Sequence, residues 1–257
     1  MLTTRRALLI ANPGEIGEEL YCKGVFKDVE NYYRLLRSPE GGAWAPREIT
    51  YLKRPNRTTV RLWLARVSSI SYVFILFTGH GYYSRIRKDR ILSLRAGQSL
   101  ASRELSTGAK KRTIILDCCQ EKHMEPLIKK LARLISLSEA KELQRPDRAM
   151  CRQLFLQRVR RASAGVVKLM SCSIGQTSSD SDERGGRYSS SLLDCIEDWS
   201  RTHSNGNGLF SQRDSSLSVM TAHACATRRT RRASSGLQIP TFVASIPCPD
   251  FPVAVFR

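Results

Sequence analysis

Three features of the sequence predict an α/β fold with a mostly parallel central β-sheet and helices on both faces. First, four short apolar runs, Ala7 to Ala11, Val73 to Phe77, Thr113 to Leu116 and Gly165 to Met170, are too short for helices and several are rich in β-branched residues, so they read as buried strands. Second, segments of helical period separate or follow them. Val25, Val29, Tyr32, Tyr33 and Leu36 share one face, as do Val60, Trp63, Leu64 and Val67. Met124, Leu127, Ile128, Leu131 and Ile135 repeat the pattern, and so do Leu192, Leu193, Ile196 and Trp199. Third, strands alternating with amphipathic helices call for βαβ crossovers, which set strands parallel and cover both faces of the sheet.

Three stretches interrupt this alternation. Between Ser84 and Lys111 the apolar piece Ile91-Leu92-Ser93-Leu94 predicts a small hairpin outside the main sheet. Ser136 to Ala164 is charged, partly helical and broken at Pro146, and reads as a surface excursion between two strands. Thr202 to Gly236, rich in Ser, Asn, Gly and Arg, reads as a flexible basic loop.

A chain of 257 residues with 41% hydrophobic content is expected to form one domain, residues 1–257, with a sizeable core. Arg5 and Arg6 precede only a five-residue apolar run that meets Asn12-Pro13-Gly14, so neither a signal peptide nor an anchor is expected. A soluble, cytoplasmic protein follows, and with it the expectation that the eight cysteines are reduced thiols. Cys118, Cys119 and His123 lack the second ligand pair that a structural zinc site needs. The net charge of +19 would steer an acidic partner such as nucleic acid. Yet only Arg228 to Arg232 forms a dense run and no nucleic-acid-binding fingerprint accompanies it, so an arginine-rich solvated surface is the expectation.

In an open parallel sheet, ligands bind beyond the carboxyl ends of the strands, where loops converge. Val73 to Phe77 runs into Thr78-Gly79-His80-Gly81, and Thr113 to Leu116 runs into Asp117-Cys118-Cys119-Gln120. If the two strands are parallel, His80 and Cys119 emerge on one rim. A thiol with a reference pKa of about 8.5 is mostly protonated at neutral pH, and a nearby histidine removes that limit. Glycines beside His80 let a substrate backbone approach and leave an amide free to bind an oxyanion. Either motif alone would be an ordinary loop or core feature; together, at successive strand ends, they point to nucleophilic catalysis.

Phe77-Thr78-Gly79-His80-Gly81 and Leu116-Asp117-Cys118-Cys119 resemble the histidine and cysteine motifs of metacaspases and related bacterial caspase-like peptidases. Gly24-Val25-Phe26-Lys27-Asp28 is similar to the family's element ahead of its first helix, and Gln176-Thr177-Ser178-Ser179-Asp180 to its segment after the cysteine strand. The elements keep the family's order from about Arg6 to Phe242. The resemblance implies a caspase-like fold, Cys119 as nucleophile, His80 as general base and acid, and Gly81 and Cys119 amides as the oxyanion site, with Cys118 a buried neighbour. It places Asp28 and Asp117, with Asp180 at the rim, in the pocket for the side chain before the cut bond. Cleavage after Arg or Lys is the consequence, because a carboxylate pairs with a guanidinium through two charge-assisted hydrogen bonds.

Val25 and Gln120 depart from the family's usual cysteine and histidine, and the Gln-Ala-Cys-x-Gly motif of aspartate-cutting caspases is absent. No cofactor is implied, although some metacaspases bind calcium and Asp180, Asp182 and Glu183 form an acidic cluster near the rim. The implied partner is a protein substrate, by family analogy a gasdermin-like pore protein in antiviral defence or regulated cell death. In a flexible loop, Arg228 to Arg232 would also be a site of self-processing. The competing expectation is an inactive caspase-like scaffold, or a basic module that binds nucleic acid.

Overall fold

The computed structural model describes residues 3–15, 17, 21–95, 97–106, 108–118, 146–204 and 216–257. Along the chain run β1 (Arg5–Asn12), α1 (Gly24–Arg37), β2 (Ile49–Lys53), α2 (Arg57–Arg66) and β3 (Tyr72–Gly79). Three short strands follow, β4 (Gly81–Ser84), β5 (Asp89–Ser93) and β6 (Ser99–Ala101), then β7 (Lys111–Cys118). The second half holds α3 (Arg148–Arg161), β8 (Gly165–Met170), β9 (Asp180–Ser181), β10 (Gly185–Gly186) and α4 (Arg187–Ser204). It ends with β11 (Ser216–Ser218), α5 (Val219–Ala233), β12 (Thr241–Ala244) and β13 (Pro252–Val255).

The main sheet has six strands in the order β12-β8-β7-β3-β1-β2, parallel except for β12, which runs antiparallel along β8. Alternation divides each central strand between two cores. From β1 and β3, Leu8, Ile10, Val73, Ile75 and Phe77 face Val60 and Leu64 of α2 and the small sheet. Ala7, Leu9, Phe74 and Leu76 face the helices α1, α3, α4 and α5 on the other side. Both faces are therefore covered, which is why β3 is buried at every position.

α1 forms because Val25, Val29, Tyr32 and Leu36 recur every three or four residues and all are buried. Arg34 and Arg37 complement the dipole in its last turn. The fold also departs from the expectations in four places. Ile91 lies in the central strand of a three-stranded antiparallel sheet, β4-β5-β6, rather than in a hairpin.

α3 is no surface excursion: Cys151, Leu154, Phe155 and Val159 are buried, and Phe155 packs edge-on to Trp44 and Tyr72. Within the stretch expected as a flexible loop, residues 219–233 are helix α5, capped by the Ser218 hydroxyl, which accepts from Thr221 N–H. Its inner face, Val219, Ala222, His223, Ala226 and Thr230, is buried, and Arg229 pairs with Asp198 of α4. Finally, Cys195 and Cys225 form a disulfide joining α4 to α5, so the expectation of reduced thiols fails for these two. Their Cα atoms lie 6.2 Å apart, within the range a bridge spans, because the helices pack side by side. The helical period of Met124 to Ile135 lies outside the described residues, as do positions 205–215 of the expected loop.

Candidate active site

β3 and β7 are parallel neighbours in register, Thr78 beside Asp117 and Gly79 beside Cys118. The chain leaves both at the carboxyl edge of the sheet, so the motifs that begin at Thr78 and Asp117 share one rim. Gly79 turns the corner with φ 143°, and a Cβ there would strike the carbonyl of Asn12 on β1. Only glycine meets both demands.

His80 follows at once, half-buried, with ring Nε2 3.1 Å from the carbonyl oxygen of Pro13. If Nε2 carries the hydrogen, it donates to that carbonyl and leaves Nδ1 as the basic nitrogen. Gly81 opens β4, where a Cβ would press on Cys118 Sγ and Cβ. Cys118 itself is buried. Cys119, expected as the nucleophile, lies outside the described residues.

The three expected pocket acids converge. Asp28, in the second turn of α1, is buried; its Oδ2 accepts from Thr78 Oγ1 at 2.6 Å and its Oδ1 from Gly186 N–H at 2.9 Å. Asp117, also buried, accepts from Ser178 Oγ through Oδ1 and from Ser189 N–H through Oδ2, both at 3.0 Å. Asp180 stands at the exposed mouth, its carboxylate leaning in over Gly24. Among the described residues none of the three makes an ion pair. Burial pushes the Asp28 carboxyl well above the ordinary range, and the charge of Asp117 adds to it. Asp180 is raised in the same way, first by desolvation and then by Asp117.

Of the acidic cluster expected near the rim, Asp180 turns into the pocket and Asp182 pairs with Lys23 while its charge still bears on Asp180. No group of three or more His, Cys, Asp or Glu side chains is gathered to hold a metal ion among the described residues. No helix among them is long and apolar enough to cross a membrane.

A family model described as Caspase domain matches residues 4–251. The chain belongs to the caspase-domain family. Among solved structures, caspase-1 from Spodoptera frugiperda is similar, with a TM-score of 0.56 at 11% identity over 95% of this chain and 88% of that one. At such identity the likeness speaks for the caspase fold. No curated protein matches the sequence. A caspase-like cysteine peptidase domain, acting on protein substrates, is thus the coarse identity of the chain.

Several groups of this caspase domain escaped the sequence reading. Thr78 and Ser178 supply hydroxyls to the two buried acids, and Gln238, itself buried, holds Ser178 and the Ser171 carbonyl through Nε2 at 3.2 and 2.9 Å. Gly185 and Gly186 let the β9–β10 hairpin close over the pocket, since a Cβ on either would overlap the carboxylate of Asp28 or Asp117. The Gly185-Gly186 pair was visible in the sequence, but nothing local tied it to residues more than sixty positions away.

Proposed function

We propose that this caspase domain is a metacaspase-type endopeptidase that cuts after Arg or Lys through an acyl-enzyme on Cys119, with His80 as its partner. The observation that carries the reading is the acidic pocket beside His80. A substrate guanidinium or ammonium entering it would relieve the repulsion between Asp28 and Asp117 and pair with carboxylates that make no ion pair among the described residues. The scissile carbonyl would then sit on the rim above β3 and β7.

In this mechanism His80 Nδ1 accepts the Cys119 thiol proton and the thiolate attacks the carbonyl carbon. The Gly81 and Cys119 amides bind the oxyanion. Ladder geometry favours Gly81: Ser93 N–H donates to His80 O at 2.9 Å, so alternation turns Gly81 N–H away from β5. The tetrahedral intermediate collapses, His80 returns the proton to the departing amine, and water hydrolyses the thioester. The Pro13 carbonyl holds the imidazole in one orientation throughout.

The test is a peptide library with Arg, Lys, Asp or Leu before the cut bond, run with and without calcium. Turnover after Arg or Lys is expected in wild type and Cys118→Ala, and is expected to vanish in Cys119→Ala and His80→Ala. Cleavage retained by Cys119→Ala overturns the nucleophile assignment. A defence role in the cytoplasm, with a gasdermin-like substrate, rests on family analogy and is tested by co-expression with such a protein. The exposed Arg228, Arg231 and Arg232 on α5 favour a second reading, a nucleic-acid-binding scaffold. Salt-sensitive RNA or DNA binding with no peptide turnover would establish it.

A further inference from the structure

A second cavity, about 430 Å³, lies between α1, α4 and the β9–β10 hairpin. Leu35, Leu193 and Ile196 give it an apolar floor. Its walls carry four carboxylates, Glu40, Glu183, Asp194 and Glu197, against two guanidiniums, Arg34 and Arg184. Arg34 pairs with Glu30, Arg184 with Asp194 and Glu197 with Arg201, whereas Glu40 and Glu183 make no ion pair among the described residues. In a protein of net charge +19 a cavity with more acids than bases runs against the overall charge, and it is too large to be a packing defect.

We infer that this cavity is an exosite for a basic segment of the protein substrate, one that carries an aliphatic side chain beside Arg or Lys. The inference rests on the peptidase reading and extends it to the substrate's distal part. Aliphatic contact with Leu35 and Leu193 would supply affinity, and Glu40 and Glu183 would select the cationic neighbours. The substrate, rather than another partner, is the occupant because the two sites share their walls. α1 carries Asp28 toward the pocket and Asn31 and Leu35 toward the cavity. The hairpin sends Gly186 N–H to Asp28 while Glu183 and Arg184 line the cavity. α4 sends Ser189 N–H to Asp117, and the next residue, Ser190, lines the cavity and donates its hydroxyl to the Arg184 carbonyl at 2.8 Å. The same three elements therefore border both the acidic pocket and the second site.

The experiment separates this inference from the peptidase reading. Binding of a fluorescein-labelled peptide of three Arg-Leu repeats is followed by anisotropy on Cys119→Ala protein, which needs no turnover. The Glu40→Gln/Glu183→Gln double variant, built on that background, is expected to bind about tenfold more weakly. On the active enzyme, the same pair of substitutions should raise KM about tenfold for a protein substrate containing such a segment and leave kcat unchanged. Both constants for a short single-arginine peptide should stay as in wild type. Equal binding by wild-type and substituted cavities overturns the exosite. So does equal binding of an acidic control peptide, or a self-association in sedimentation that the double variant abolishes, which would make a second copy the occupant. Failure of the peptidase reading would show separately, as no turnover of the short peptide by wild type.

Discussion

Asp28 holds an ionisable group where its charge is costly, and its folded pKa stands above the unfolded value. The folded state therefore binds an extra proton between the ordinary carboxylate value and the raised one. Stability falls as pH rises through that window. Asp28→Asn is expected to raise the melting temperature at neutral pH, by more than it does near pH 4, while lowering the rate of cleavage after Arg at least tenfold. The roughly 2 to 5 kcal/mol lost when a buried charge loses its partner exceeds the about 1.4 kcal/mol that a tenfold rate loss requires. Parallel melting and kinetic assays check both halves, and an unchanged rate would remove Asp28 from the pocket. His223 works in the opposite sense. Burial lowers its pKa from 6.5 to about 4, and its Nδ1 lies 2.7 Å from the Tyr188 hydroxyl. The unfolded chain then binds the extra proton, so stability is lost as pH falls from 6.5 towards 4, by on the order of 3 kcal/mol. Denaturant melts across that range should show the loss in wild type and a flatter slope in His223→Gln.

Elements show where composition misleads. Residues 202–236 look like linker because Ser, Asn, Gly and Arg abound, yet Val219, Ala222, His223, Ala226 and Thr230 keep a helical spacing on a narrow face of small residues. A stripe that narrow gains its stability from the neighbour it packs on, here α4, and from the Cys195–Cys225 bridge. With the arginine run helical and Arg229 paired to Asp198, a peptidase would have to unwind α5 to cut there. Intact mass measurement of active protein should therefore find no cleavage between Arg228 and Arg232. Cys225→Ser should cost about 2 to 4 kcal/mol in denaturant unfolding under oxidising conditions and nothing after reduction of both proteins.

At the scale of the molecule, a net charge of +19 surrounds a pocket of three acids. The long-range field repels a cationic substrate, and attraction begins only inside the Debye length of the pocket. Raising ionic strength from low to physiological values should thus increase kcat/KM for a peptide rich in Arg, and reduce it for one whose single Arg is flanked by acids. Steady-state assays in a salt series distinguish the two slopes. The parallel strands, the face of α1 and both rim motifs were legible in the chain itself, because alternation, helical period and strand-end glycines are local patterns. The metacaspase resemblance singled out Asp28, which the fold buries beside Asp117; periodicity alone would have left it a polar residue in a helix. What only the tertiary structure decided is pairing across distance. The joining of Asp28 to Gly186 and of Asp117 to Ser178 and Ser189, the bridge between Cys195 and Cys225, and the cavity between α1 and α4 all unite residues far apart in sequence. Such contacts leave no periodic trace, since each is set by how packed elements meet and not by the spacing within any one of them.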